Sequence, residues 1–235
     1  IDVGGNGAPL MPFLDWLLFK DSAVDTVTLN LGGMANISYI PSSGIRQKVI
    51  GFDTGPGMSL IDETCQLCLG IHMDNKGIKT SEGIINEELL NKLMLHDFIN
   101  KEPPKSTGRY EFGIKIVQQA IKQYPKMNIQ DLLRTFCMFT AKSIAINLEK
   151  YLDIDPLDTR LIISGGGIHH QVLMSDLKDN INVVNIEKLD TYGIESEMKE
   201  SLLIAVLAVA RMQNIPANMP TVSGADKPTI LGDIF

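Results

Sequence analysis

The chain has 235 residues, with 28 Asp and Glu against 21 Lys and Arg, for a formal net charge of −7. That length can bury one large core or two small ones, and the acidic balance argues against a dedicated nucleic-acid surface, which needs clustered Lys and Arg. Three cysteines make no disulfide framework and fit a reducing compartment, with the cytoplasm expected. No apolar run reaches the roughly 18 residues of a membrane span, and no leader with a basic start and apolar middle is visible. Because it opens Ile1-Asp2-Val3-Gly4-Gly5 with no initiator Met, the chain is expected to be the remainder of a longer protein.

In chain order, Gly4-Gly5-Asn6-Gly7-Ala8-Pro9 reads as a loop and Leu10 to Phe19 as a short amphipathic helix, together a segment 1–25. Alternating apolar and polar residues predict strands within 26–40 and from Val49 onward, each ending in a glycine turn, with Pro41-Ser42-Ser43-Gly44 between them. A helix is expected from Gly57 to about Leu69, stopped by Gly70. Residues 70–112 are polar and loop-rich around one helix, Asn86 to His96. Helical spacing returns over 114–124 and 128–152, split by Pro125. The apolar residues of the second of these helices make it a candidate subunit contact, and so the protein a candidate homodimer. A strand over 160–164, the turn Gly165-Gly166-Gly167, a helix from about His169 to Leu177 and a strand over 182–186 follow. A long, mostly buried helix is expected over 197–212, then an irregular tail, 213–235. Strands, then helices, then alternation of the two predict one α/β domain on a mixed sheet, spanning 26–212.

Three glycine turns, 32–33, 55–57 and 165–167, follow predicted strands, and the carboxyl ends of strands form the ligand crevice of open α/β sheets. If they converge, their N–H groups and the positive end of the helix after Gly167 would hold a polyphosphate. The alternative is that they only turn the chain. No GxxxxGK[ST] or GxGxxG pattern is present. Asp53, just past a strand, is the best-placed general base, or else a turn-forming Asp. Asp62 reads equally as a solvated helix residue. Lys105, Ser106, Thr107 and Arg109 form a loop suited to an anionic group, or merely exposed. Glu197 and Glu200 suit a helix start. Cys65-Gln66-Leu67-Cys68 lacks a second ligand pair, and His169-His170 lacks acidic partners, so no metal site is expected.

Read together, these stretches resemble a family. Gly4 to Leu10, Leu29 to Asn36, Gly51 to Gly57, Pro104 to Arg109, Gly165 to Gly167, Thr191 to Ile194 with Lys199-Glu200, and Pro216 to Ala225 are similar, in order, to the anhydro-N-acetylmuramic acid kinases of the actin, hexokinase and Hsp70-like ATPase superfamily. The resemblance implies an actin-like ATPase (ribonuclease H-like) lobe: α/β, with a mixed five-stranded sheet flanked by helices. It implies an enzyme that uses ATP and Mg²⁺ to open the 1,6-anhydro ring of a small sugar and phosphorylate O6. By position, Asp53 resembles the water-activating base. Gly32, Gly33 and Asn36, with Gly55 and Gly57, resemble phosphate-binding turns, and Gly165, Gly166 and Gly167 the adenosine turn. Thr107, Gly108, Arg109 and Glu200, with Gly5 and Gly7, resemble substrate contacts. Nothing matches the family's first phosphate hairpin, and Met58 and His170 stand where the family usually has Asn. A non-catalytic nucleotide- or sugar-binding lobe is the alternative.

Overall fold

The computed structural model describes residues 3–183 and 185–234. Five strands, β1 (Asp25–Leu31), β2 (Met34–Ile40), β3 (Ile50–Pro56), β4 (Thr159–Ser164) and β5 (Asn185–Lys188), form one sheet in the order β3-β2-β1-β4-β5. The β1–β2 and β2–β3 pairs are antiparallel, and the β1–β4 and β4–β5 pairs are parallel. Consequently β3, β1 and β4 run the same way and deliver their carboxyl ends to one edge of the sheet. The mixed sheet is as expected. Its last strand lies further along the chain than the predicted 182–186, within which Val184 falls outside the described residues.

The helices are α1 (Met11–Phe19), α2 (Ser59–Thr64), α3 (Ile78–Ser81), α4 (Glu87–Met94), α5 (Asp97–Asn100), α6 (Ile114–Gln123), α7 (Ile129–Tyr151), α8 (Gln171–Asn180), α9 (Lys199–Met212) and α10 (Pro220–Ser223). Two boundaries follow from side-chain caps: Asn86 accepts from Leu89 N at 2.8 Å and Asn128 from Asp131 N at 2.7 Å. The helix begun at Ser59 passes into a π-helical turn, Cys65–Leu69, and Gly70 stops it with φ at 66°.

Strand alternation divides the two faces. Val27, Leu29 and Leu31 of β1, with Phe52 of β3 and Leu161 and Ile163 of β4, pack under Phe136, Phe139, Ile144 and Leu148 of α7 in the main core. Most of the apolar residues of α7 are thus consumed within the chain, while Ile146 stays exposed. The opposite face is partly polar. Thr28 and Ser38 donate to Asp15 Oδ2 of α1 at 2.7 and 2.6 Å. Lys199, at the start of α9, lies 2.7 Å from Asp15 Oδ1 in an ionic contact set off the hydrogen-bond direction. Both charges are buried, so loss of either partner would strand the other in a medium that solvates it poorly.

The expectation of a mostly buried 197–212 helix is corrected. Leu203 packs against Leu14 and Met11 of α1, but Ile204, Val209 and Met212 are 66%, 53% and 75% exposed. An apolar run says that a helix can be buried all round, not that each face has a neighbour. Phe136→Ala should therefore cost about 3–5 kcal/mol and Val209→Lys less than about 0.5 kcal/mol in urea denaturation. Comparable losses at the two positions would contradict the exposed face.

Candidate active site

β3 is an edge strand, and its free side is closed by the segment 105–107. Asp53 N donates to Lys105 O at 3.1 Å, and Thr107 N donates to Asp53 Oδ2 at 2.7 Å. On the other side Asp53 pairs with Asn36 of β2, where the register shifts between Ala35 and Asn36. Such an irregularity bends the strand and re-aims its side chains. Asp53 is left 8% exposed. Burial pushes its carboxyl up to about 6, against the lowering pull of the Thr107 N–H and the Lys105 charge.

Beside it, the Thr107 hydroxyl donates to Glu111, and Arg109 Nη1 pairs with Glu63 at 2.8 Å. A side chain on Gly33 would meet the Arg109 guanidinium at 3.6 Å, so this cation lies over the β1–β2 turn. Asp62 of α2 is also pushed up to about 6, by burial first and with Arg109 opposing.

The three glycine turns do converge, but they are not equivalent. Gly57 N and Ser59 N donate to Gly33 O at 2.9 and 3.0 Å, and Met58 N to Gly32 O at 2.8 Å. Any Cβ on Gly57 would overlap the Gly32 carbonyl oxygen. The amides at 57–59 are thus spent holding two turns together, not left free for a phosphate. Gly55 is buried against Ile99 and Ser143 with φ at +136°, and Gly167 is buried beside Leu31 and Met58. Gly32, Gly33 and Gly165 are half-buried and Gly166 is exposed, with nothing within 4 Å of where its Cβ would be. Gly165 takes φ +88°, where a Cβ would sit 2.8 Å from Asn30 Oδ1 and the Leu31 carbonyl. Open surface is therefore left at 32–33 and 166, while 55, 57, 165 and 167 make the close packing that aligns them.

Two expectations are corrected here. The helix after the third turn does not point a free N-terminus at the edge: a 3₁₀ turn, Gly166–His169, intervenes, and buried His170 caps α8 by accepting from Leu173 N at 3.1 Å. The other His170 nitrogen lies 3.3 Å from Thr80 Oγ1 and 3.6 Å from Asp74 Oδ2. Lys105 is not an anion-binding surface residue either; it is 1% exposed and donates inward to the Phe98 and Ile99 carbonyls.

Gly5 and Gly7 lie where the N-terminal segment packs on the C-terminal one. A Cβ on Gly5 would meet Ala225 at 2.8 Å, Asn6 N donates to Ser223 O, and Gly224 stacks on Pro104, which leads into the Lys105 segment. Glu200 is exposed in the first turn of α9, next to Lys199, whose Nζ lies 3.4 Å from Ser164 Oγ at the end of β4. The half-buried Asn36 and Thr107 adjoin Asp53 directly, with half-buried Gly108 leading on to Arg109. Sequence reasoning missed Glu63 and Glu111, because an acid on an amphipathic or loop segment carries no mark of the partner that folding brings to it.

A solved structure, the activator of the 2-hydroxyisocaproyl-CoA dehydratase from Clostridium difficile with bound ADPNP, superimposes with a TM-score of 0.50 at 11% identity, covering 86% of this chain and 68% of that one. The likeness shows the fold, that of an actin-like (ribonuclease H-like) lobe. More particularly, the chain belongs to the anhydro-N-acetylmuramic acid kinase family, whose model matches residues 1–235. Among relatives of that name, the Clostridioides difficile (strain 630) protein is 37% identical over 234 residues and the Bacillus cereus (strain AH187) protein 36% over 235. They cover 100% and 98% of this chain, and the chain spans 61% of the length of each.

Since Asp53 titrates near 6 when folded against 3.8 unperturbed, the folded state binds the extra proton between those values. Its contribution is complete below about pH 4 and is lost as pH rises through 6. Urea denaturation of wild type and Asp53→Asn at pH 4 and pH 7 should show the variant gaining relative stability at the higher pH. An unchanged difference would contradict a buried, raised Asp53.

Proposed function

We propose that this chain carries the catalytic carboxylate and one nucleotide-facing wall of an ATP-dependent kinase for 1,6-anhydro-N-acetylmuramic acid. The product is N-acetylmuramic acid 6-phosphate, formed in the cytoplasm during recycling of peptidoglycan sugars. The observation that carries this reading is Asp53, a buried carboxylate near the end of β3, held by the Thr107 N–H beside converging glycine turns in a chain of this family.

In this reading Asp53 accepts a proton from a water whose oxygen bonds to the anomeric carbon. The C1–O6 bond breaks, with its electron pair going to O6. That oxygen then bonds the γ-phosphorus of ATP as ADP departs, and Asp53 returns its proton to solvent. A carboxylate titrating near 6 is ionised at neutral pH yet more basic than an exposed Asp, as general-base work favours. Gly32, Gly33 and Asn36 would face the phosphates and Gly165 and Gly166 the adenosine, while Gly55, Gly57 and Gly167 hold those turns in register. Thr107, Gly108, Arg109 and Glu200 would meet the sugar, with Gly5 and Gly7 behind them. Residues 26–212 would form the lobe, clasped by 1–25 and 213–235.

Mg²⁺ supplies charge neutralisation across transferring phosphates. Among the described residues no group of three His, Cys, Asp or Glu is placed to hold a metal; Mg²⁺ bound with ATP takes most of its ligands from phosphates and water, with one or two carboxylates. Among the described residues no helix is long and apolar enough to cross a membrane.

A second reading, a lobe that binds nucleotide or sugar without turnover, is favoured by the amides of 57–59, which are spent on the Gly32 and Gly33 carbonyls. An ADP-release assay with the anhydro sugar separates the two, run on this chain and on the Clostridioides difficile relative with the Asp aligned to Asp53 changed to Asn. The relative should lose about 10²–10⁴-fold in kcat. Full activity in that variant would remove Asp53 from the chemistry, whereas sugar binding by this chain in calorimetry, without ADP release, would support the binding lobe.

A further inference from the structure

A Lys in the polar run Pro103-Pro104-Lys105-Ser106-Thr107 would ordinarily reach water. Lys105 does the opposite. Its Nζ donates to Phe98 O at 3.1 Å and Ile99 O at 3.3 Å, at the carboxyl end of α5. Around it stand the rings of Phe98, Tyr151 and Phe52, with centroids at 4.9, 5.0 and 5.6 Å. Carbonyls at a helix end and aromatic faces are what a desolvated ammonium can use, and Asn147 Nδ2 shares the Ile99 carbonyl at 3.4 Å. Among the described residues no carboxylate comes within ion-pair distance of it.

Packing alone does not account for a cation here. A Met of similar length would fill the same aromatic cage without the cost of burying charge. What the cage adjoins is Asp53: the Lys105 carbonyl accepts from Asp53 N, and two residues on, Thr107 N donates to the Asp53 carboxylate.

We propose that Lys105 is a positioning residue for Asp53: its buried ammonium clamps the 105–107 segment along the free edge of β3 and presents a fixed positive charge to the Asp53 carboxylate. The charged groups acting on Lys105 are Lys101 and Lys150, which oppose its charge, and Asp53, which favours it. Those acting on Asp53 are Lys105 and the Thr107 N–H. Burial brings the ammonium down to about 8, so both groups are mostly charged only between about 6, where Asp53 is half protonated, and about 8, where Lys105 is half deprotonated. The inference deepens the reading of Asp53 as a base and rests on it for its catalytic meaning, but the coupling itself is measurable without substrate.

The test is NMR titration of this chain, following the Asp53 carboxyl carbon and the Lys105 Cε. In Lys105→Met the Asp53 midpoint should move up by about one pH unit as a neighbouring positive charge is removed, and the Thr107 amide should move away from its hydrogen-bonded shift as the segment loosens. By linkage the effect must be reciprocal, so Asp53→Asn should lower the Lys105 midpoint by a similar amount. This second arm decides the matter if Lys105→Met fails to fold. Unmoved midpoints, or an unmoved Lys105 midpoint where only that arm can be read, would overturn the proposal. A failed sugar-kinase assay leaves these midpoints where they are, so loss of the kinase reading and loss of the coupling are separately visible.

Discussion

The two hydrogen bonds that close the free edge of β3 are the constraint on which the site depends. An edge strand offers unpaired backbone groups to solvent or to another chain; here Asp53 N is occupied by Lys105 O, and Thr107 N holds the Asp53 carboxylate against the same edge. The same contacts bury the carboxylate and fix its Oδ2 by the Thr107 N–H. Without the 105–107 segment, Asp53 would be an exposed acid at the rim of a sheet, with neither a raised proton affinity nor a defined direction.

Around that edge, the fold spends its glycines in two ways. Those at 55, 57, 165 and 167 are small because a backbone or a core side chain lies against them, and those at 32, 33 and 166 are small where the surface stays open. The first set determines where the second can be. Because β1, β3 and β4 all run the same way, one topological choice brings both sets and Asp53 to a single edge. On the far face the buried Asp15–Lys199 pair, with Thr28 and Ser38, ties α1 and α9 to the central strands. The Ser164 hydroxyl beside Lys199 carries that tie to the foot of the third glycine turn.

Much of this was legible in the residues. Alternation in β1 and β2, the Asn caps at 86 and 128 and the stop at Gly70 are local signals, decided by neighbours in sequence, and the structure follows them. The ordered motif set identified the family, which no single turn could do. What stayed hidden depended on distant neighbours. Lys105 sits in a run that reads as exposed, and only α5, α7 and β3 together make its cage. His170 caps α8 although His is a weak capping residue by type, because Asp74 and Thr80 hold its other nitrogen. In α9, composition announced burial, but which faces find neighbours is set by α1 and the sheet.

The central claim is that Asp53 is the base, poised by burial and by its edge contacts. The measurement that tests it most directly is the pH dependence of kcat/KM for the anhydro sugar in the full-length Clostridioides difficile relative. The account predicts an acid limb with a midpoint near 6, the value to which burial pushes Asp53 in this chain, from the carboxylate at the corresponding position of the relative. A rate that stays flat down to pH 4, as an ordinary exposed aspartate would give, would contradict it.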